Sequence, residues 1–131
     1  MKNKMGEKVV LFLAGIIAVG IGLAAGLWPK AFYASSGIFL GENISLLSEV
    51  RAPAMVLTVS GLIMLAAVMA SKFRAFALAV AAVLYLSYGG GRLLSLAMDG
   101  VPHFNLLAAM VLEIGVGLLC VYTFWRQGDP T

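Results

Sequence analysis

Hydrophobic residues in this chain fall into four long runs, at about residues 9–28, 52–70, 74–98 and 104–125. Each approaches or exceeds the ~20 residues that a helix needs to cross ~30 Å of hydrocarbon. Polar and turn-forming residues separate them. Ser71-Lys72-Phe73 is a tight joint that makes the second and third runs antiparallel neighbours. Asp99-Gly100-Val101-Pro102 is a turn signal that folds the third and fourth runs into a hairpin. The longest connection, 29–49, follows Trp28 and carries Phe32, Tyr33 and Phe39. It predicts a short helix lying at the outer membrane interface, and Asn43 to Glu49 lead into the second run. The fold class is therefore all-α: an integral membrane four-helix bundle with a short interfacial helix between the first and second spans. A single domain over 1–131 is expected. Residues 127–131 read as a frayed tail.

Composition strengthens the membrane reading. Of 131 residues, 62% are hydrophobic and 11% charged, with a mean hydropathy of +1.01, whereas a soluble domain carries about 25% charged residues. So much apolar surface needs the bilayer as its solvent. The net charge of +3 is too small and scattered to point to nucleic acid. Its distribution says more. Lys2, Lys4, Lys8, Lys72, Arg74 and Arg126 gather on one side of a four-span topology. The other side has Lys30 in a loop, plus Arg51 and Arg92 near helix ends. An excess of Lys and Arg in cytoplasmic loops predicts both termini in the cytoplasm of a bacterial inner membrane. The first run exceeds the ~7–15 residues of a signal-peptide core and reads as a membrane anchor. The lone Cys120 excludes an intrachain disulfide and a multi-cysteine zinc site, and reads as a buried, inert thiol.

Charges inside the apolar runs are the candidate chemistry, since a charge in hydrocarbon costs several kcal/mol unless it is paired or wetted. Tyr85, Tyr88, Arg92, Ser95 and Asp99 are spaced three, four, three and four, which places them on one helix face. Gly89-Gly90-Gly91 precedes the arginine and reads as close helix packing or as a hinge. Glu113 lies about nine residues, ~14 Å, into the fourth run. Its first-choice partner is Arg92 on the adjacent helix, and its second is Arg51. The pair is either a register-fixing lock or part of a polar ligand or proton-handling site. Glu49 suits a first helical turn and Pro53 an early helical position, while Arg51 meets headgroups or joins Arg92. Two arginines with Tyr and Ser donors would suit a carboxylate or phosphate. His103 with Asp99, Glu49 and Glu113 matches no metal spacing, and no nucleophile elbow is present, so no metal or cofactor is called for. Ala14, Ala18, Gly22 and Gly26 form a small-residue stripe for helix packing or a homodimer seam.

The run Gly91-Arg92-Leu93-Leu94-Ser95-Leu96-Ala97-Met98-Asp99-Gly100-Val101-Pro102, with Glu113 eleven residues on, resembles a bacterial family of small four-helix membrane proteins defined by a domain of unknown function. Ser48-Glu49-Val50-Arg51-Ala52 and Pro29 fit its pattern. The resemblance covers nearly the whole chain and implies architecture without an activity. The architecture is also similar to DoxX-like membrane proteins, some of which associate with quinone-linked oxidoreductases. That second likeness is at the level of fold.

These readings converge on a polar pocket in the outer half of the bundle, lined by Glu49, Arg51, Tyr85, Tyr88, Arg92, Ser95, Asp99 and Glu113. The first expectation is a non-catalytic protein that binds a small amphiphile: a lipid, quinone or hydrophobic acid. The second is a structural or accessory subunit of a larger membrane complex, or a homo-oligomer. The third is a small membrane enzyme using Glu113 or Asp99 as an acid or base.

Overall fold

Long apolar sequences rich in Ala, Leu and Val fold here as helices whose backbone groups satisfy one another, and they carry glycines inside them as well as at the joints. The computed structural model describes residues 4–127, so Lys2 and residues 128–131 lie outside the described residues. The elements are α1 (Lys4–Leu27), α2 (Pro29–Ala34), α3 (Ile44–Met69), α4 (Arg74–Asp99) and α5 (Phe104–Gln127). A 3-10 turn at Ser71–Phe73 joins α3 to α4. No strand occurs among the described residues. The four long helices have 24 to 26 residues, about 36–39 Å at ~1.5 Å per residue. All four are long and apolar enough to cross a membrane.

The bundle is built from two tightly joined antiparallel pairs, α1 with α3 and α4 with α5. Small residues set both crossings. A Cβ at Gly15 would meet the Gly61 carbonyl oxygen at 3.0 Å, and one at Gly22 would run into Thr58 and Ala54. Across the other pair, a Cβ at Gly89 would meet the Ile114 nitrogen at 3.2 Å, and one at Gly117 the Leu86 nitrogen at 3.1 Å. Backbones come this close only where side chains are absent. The small-residue stripe of α1 is thus spent inside the chain. Gly22 faces α3, while Ala14 and Ala18 are buried in the core.

Between the pairs, contact is lighter, and among the described residues the backbones of α3 and α5 make no close approach. The tight turn at 71–73 does make α3 and α4 neighbours, but they share less contact than either glycine-rich pair. The dry core occupies one half of the bundle. It holds Leu11, Ala14, Ala18, Met64, Ala67, Leu78, Ala81, Tyr85 and Cys120. Arg74 and Glu7 close the same end. Both are buried, at 5% and 7% exposure, with Arg74 Nη1 at 3.9 Å from Glu7 Oε1. Arg74 Nε donates to the Ala67 carbonyl at 3.1 Å and Nη2 to that of Val68 at 2.8 Å. Both carbonyls belong to the last turn of α3, and that of Ala67 also accepts the Ala70 N–H at 3.2 Å. Arg74, counted among the charges of one membrane side, is an internal clamp at the start of α4.

The helix that carries the second apolar run starts before the run does. α3 begins at Ile44, eight residues before the apolar run, because Asn43 caps it by accepting the Leu46 N–H on Oδ1 at 3.1 Å. Glu49, Arg51 and Pro53 therefore sit within the helix and not in its first turn. α4 runs unbroken through Gly89-Gly90-Gly91, so the triplet makes no hinge in this structure. Gly89 packs on Ile114, while added side chains at Gly90 and Gly91 would meet open space. The turn expected at Asp99–Pro102 is present, with Gly100 at φ +105°, a conformation that disfavours any side chain.

Candidate functional site

In the half of the bundle away from the core, the two helix pairs enclose a cavity of about 810 Å³. Its apolar walls are Ile17, Ile21 and Ala25 of α1, Pro53 and Leu57 of α3, Leu84 of α4, and Leu107, Met110 and Leu112 of α5. Polar groups enter from α4 and from the connection after α1. Tyr85, Tyr88, Arg92 and Ser95 project from α4, as their three- and four-residue spacing requires. Phe32, Tyr33, Ser35, Ser36 and Ile38 cover the cavity from α2 and the loop beyond it. Asn105 at the start of α5 holds this cover in place, its Nδ2 donating to the Ser35 carbonyl at 2.9 Å. Phe32 and Tyr33 stack edge to face, with ring centroids 5.3 Å apart.

Arg92 and Glu113 form the charged centre. Arg92 Nε donates to Glu113 Oε1 at 2.7 Å, and Nη2 to Oε2 at 3.3 Å. This fork makes a planar, two-point pair. The Glu113 side chain is 11% exposed and that of Arg92 31%, so the carboxylate lies deep and the guanidinium nearer the opening. Tyr33, outside the long helices, feels the same site. Burial pushes its phenol up from its ordinary value, and the Arg92 charge offsets part of that rise. Its hydroxyl is therefore protonated, a donor, at neutral pH.

The remaining candidates separate. Tyr85 lines the cavity but spends its hydroxyl on the Ala14 carbonyl, at 2.6 Å, tying α4 to α1. Ser95 lines the cavity and donates to Asp99 at 2.8 Å. Asp99 itself is not part of the lining. Arg51, expected beside Arg92, instead donates from Nη1 to the Gly26 carbonyl at 2.8 Å, near the end of α1. Glu49 is exposed and away from the cavity. Both residues are exposed on α3 one to two turns after its start at Ile44. His103 accepts the Asn105 N–H on Nδ1 at 3.1 Å and so starts α5. No group of His, Cys, Asp and Glu among the described residues could hold a metal.

Sequence reasoning missed Tyr33, Ser35, Ser36 and Asn105 as parts of this site. The aromatic cluster marked Tyr33 for an interface, and no periodic signal tells that the loop after α2 folds inward over α4. It missed the Glu7–Arg74 pair as well. Each charge flanks an apolar run, where a solvated position is the ordinary expectation.

A family model described as a domain of unknown function (DUF4345) matches residues 6–124. The chain belongs to this family. The match takes in every wall of the DUF4345 cavity and both members of its charged pair. No curated protein and no solved structure matches the chain.

Chemically, this DUF4345 site offers an apolar volume within the range of roughly 300–1,000 Å³ typical of small-molecule pockets. It carries a few hydrogen-bond donors grouped at one wall. Such a division suits a ligand with a polar end and an apolar body.

Proposed function

We propose that this protein is a non-catalytic membrane protein that holds a small amphiphile, a lipid, quinone or hydrophobic acid, in the cavity between its two helix pairs. The observation that carries this reading is the 810 Å³ space itself, with mostly apolar walls and a polar side where Arg92, Glu113, tyrosines and serines meet it. The core reaches one side of this space through Ala18, Leu84 and Tyr85 and leaves the space itself unfilled. Arg92 holds the polar end, Glu113 balances its charge, and the apolar walls take the tail. The helices cross a bacterial cytoplasmic membrane with both termini on the inside. Lys4, Lys8, Lys72 and Arg126 support this orientation, lying at the bundle end opposite the cavity. The likeness to DoxX-like proteins stays at the level of architecture and adds nothing to this reading.

Native mass spectrometry of protein released from mild detergent, wild type beside Arg92→Ala, tests the proposal. A discrete adduct on the wild type, lost from a folded Arg92→Ala chain, is the expected result. An adduct that persists on the folded variant refutes it. The directness of the Arg92–Glu113 bond, 2.7 Å, favours a second reading, in which the pair only locks α4 to α5 and the protein is an accessory subunit of a membrane complex. A wild-type chain that is bare of adducts but carries a co-purifying protein supports that reading.

A further inference from the structure

The charges that line the cavity are Arg92 and Glu113, one of each sign, joined to each other. The site is therefore neutral as it stands. Its hydrogen-bonding capacity is not. Of the five N–H groups of a guanidinium, Glu113 takes two, and the other three have no acceptor among the described residues. The hydroxyls of Tyr33 and Tyr88 line the same cavity and likewise make no hydrogen bond to a described residue. Burial keeps the Tyr33 phenol protonated, hence a donor. Unengaged donors therefore gather at this wall, while each Glu113 oxygen already accepts one hydrogen bond from Arg92.

We infer that the polar end of the ligand is an uncharged hydrogen-bond acceptor, a ketone, ester or quinone carbonyl, and neither a carboxylate nor an amine. The inference rests on the reading of the cavity as a ligand site and narrows its ligand class. A carboxylate would have to share Arg92 with Glu113, leaving an uncompensated negative charge in water-poor surroundings. An ammonium would bring three donors to a wall that already has donors to spare. A carbonyl accepts from Arg92 and a tyrosine while the bond to Glu113 stays whole.

The test is a binding series in mild detergent at neutral pH. A long-chain methyl ketone is compared with the carboxylic acid and the primary amine of the same chain length. Adduct abundance in native mass spectra is the readout. The native chain should bind the ketone at least about tenfold tighter than either charged probe. Glu113→Gln keeps the side-chain shape and removes the negative charge, so it should shift the preference to the acid. Arg92→Gln should shift it to the amine, and it serves as the second test if Glu113→Gln fails to fold. An acid that binds the native chain as tightly as the ketone overturns the inference, as does a folded Glu113→Gln chain with unchanged preference. Failure of all three probes to bind the native chain overturns instead the reading of the cavity as a ligand site, and this inference with it.

Discussion

Gly61→Ala isolates what holds the cavity's inner wall together. A Cβ at Gly61 would lie 2.7 Å from Val19 Cγ2, 2.8 Å from the Val19 nitrogen and 2.9 Å from the Gly15 carbonyl oxygen. Two of these are backbone atoms, which cannot rotate aside, so α1 and α3 must part by roughly half an ångström where they cross. Overpacking of this kind costs about 1–3 kcal/mol. Alanine also gains about 1 kcal/mol over glycine in a helix, which would blur a single measurement. Gly20→Ala removes that ambiguity. Gly20 lies on α1 with open space around it and collects the same gain without the clash. The difference between the two variants should be about 1–3 kcal/mol, or roughly 5- to 150-fold in the unfolding constant. The assay is reversible unfolding in mild detergent by titration with a denaturing detergent, followed by the fluorescence of Trp28 and Trp125. Gly15→Ala and Gly61→Ala together should cost less than the sum of their separate effects, because one separation of the helices relieves both. Equal stability of Gly61→Ala and Gly20→Ala would refute the close crossing.

Arg74→Ala should lower stability by about 3 kcal/mol, because it strands the buried Glu7 and removes the guanidinium hydrogen bonds to the Ala67 and Val68 carbonyls; a value within ~0.5 kcal/mol of wild type, the range of a surface change, would contradict the clamp. Arg51→Ala should leave the ligand adduct in place, since its guanidinium serves Gly26 and not the cavity; loss of the adduct from a folded variant would return Arg51 to the site. At the rim, Lys30 pairs with Glu42 at 2.7 Å and holds its carboxyl below the ordinary carboxylate value. A lowered folded-state pKa contributes stability above the unfolded value and loses it as pH falls through the folded one. The Glu42 carboxyl, followed by carbon NMR, should therefore titrate at lower pH in wild type than in Lys30→Ala, and equal midpoints would rule the pairing out.

Much of this fold is legible in the chain because one constraint dominates it. A segment that crosses hydrocarbon must satisfy its own backbone, so four long apolar runs announce four helices before any packing is known. The turn at Gly100 is legible for a comparable local reason, as is the face shared by Tyr85, Tyr88, Arg92 and Ser95, since helical period alone places them together. The Arg92–Glu113 bond was also within reach, because few partners lie at a matching depth on an adjacent helix. The start of α3 was not: Asn43 begins the helix in polar sequence, so the apolar run marks the membrane segment and not the helix.

Tertiary structure decided what these helices enclose. Glycines at 15, 22, 61, 89 and 117 draw α1 against α3 and α4 against α5, and that choice leaves the two pairs to meet mainly at one end. With this go the cavity at the other end, the inward placement of α2 with Tyr33 and of the loop after it, and the diversion of Arg51 to the Gly26 carbonyl. None of these has a periodic signature, because each depends on contacts between residues far apart in the chain. The sequence alone determined that the chain is helical and where its charges fall along the apolar runs. Which charges face one another was settled by where two backbones could come closest.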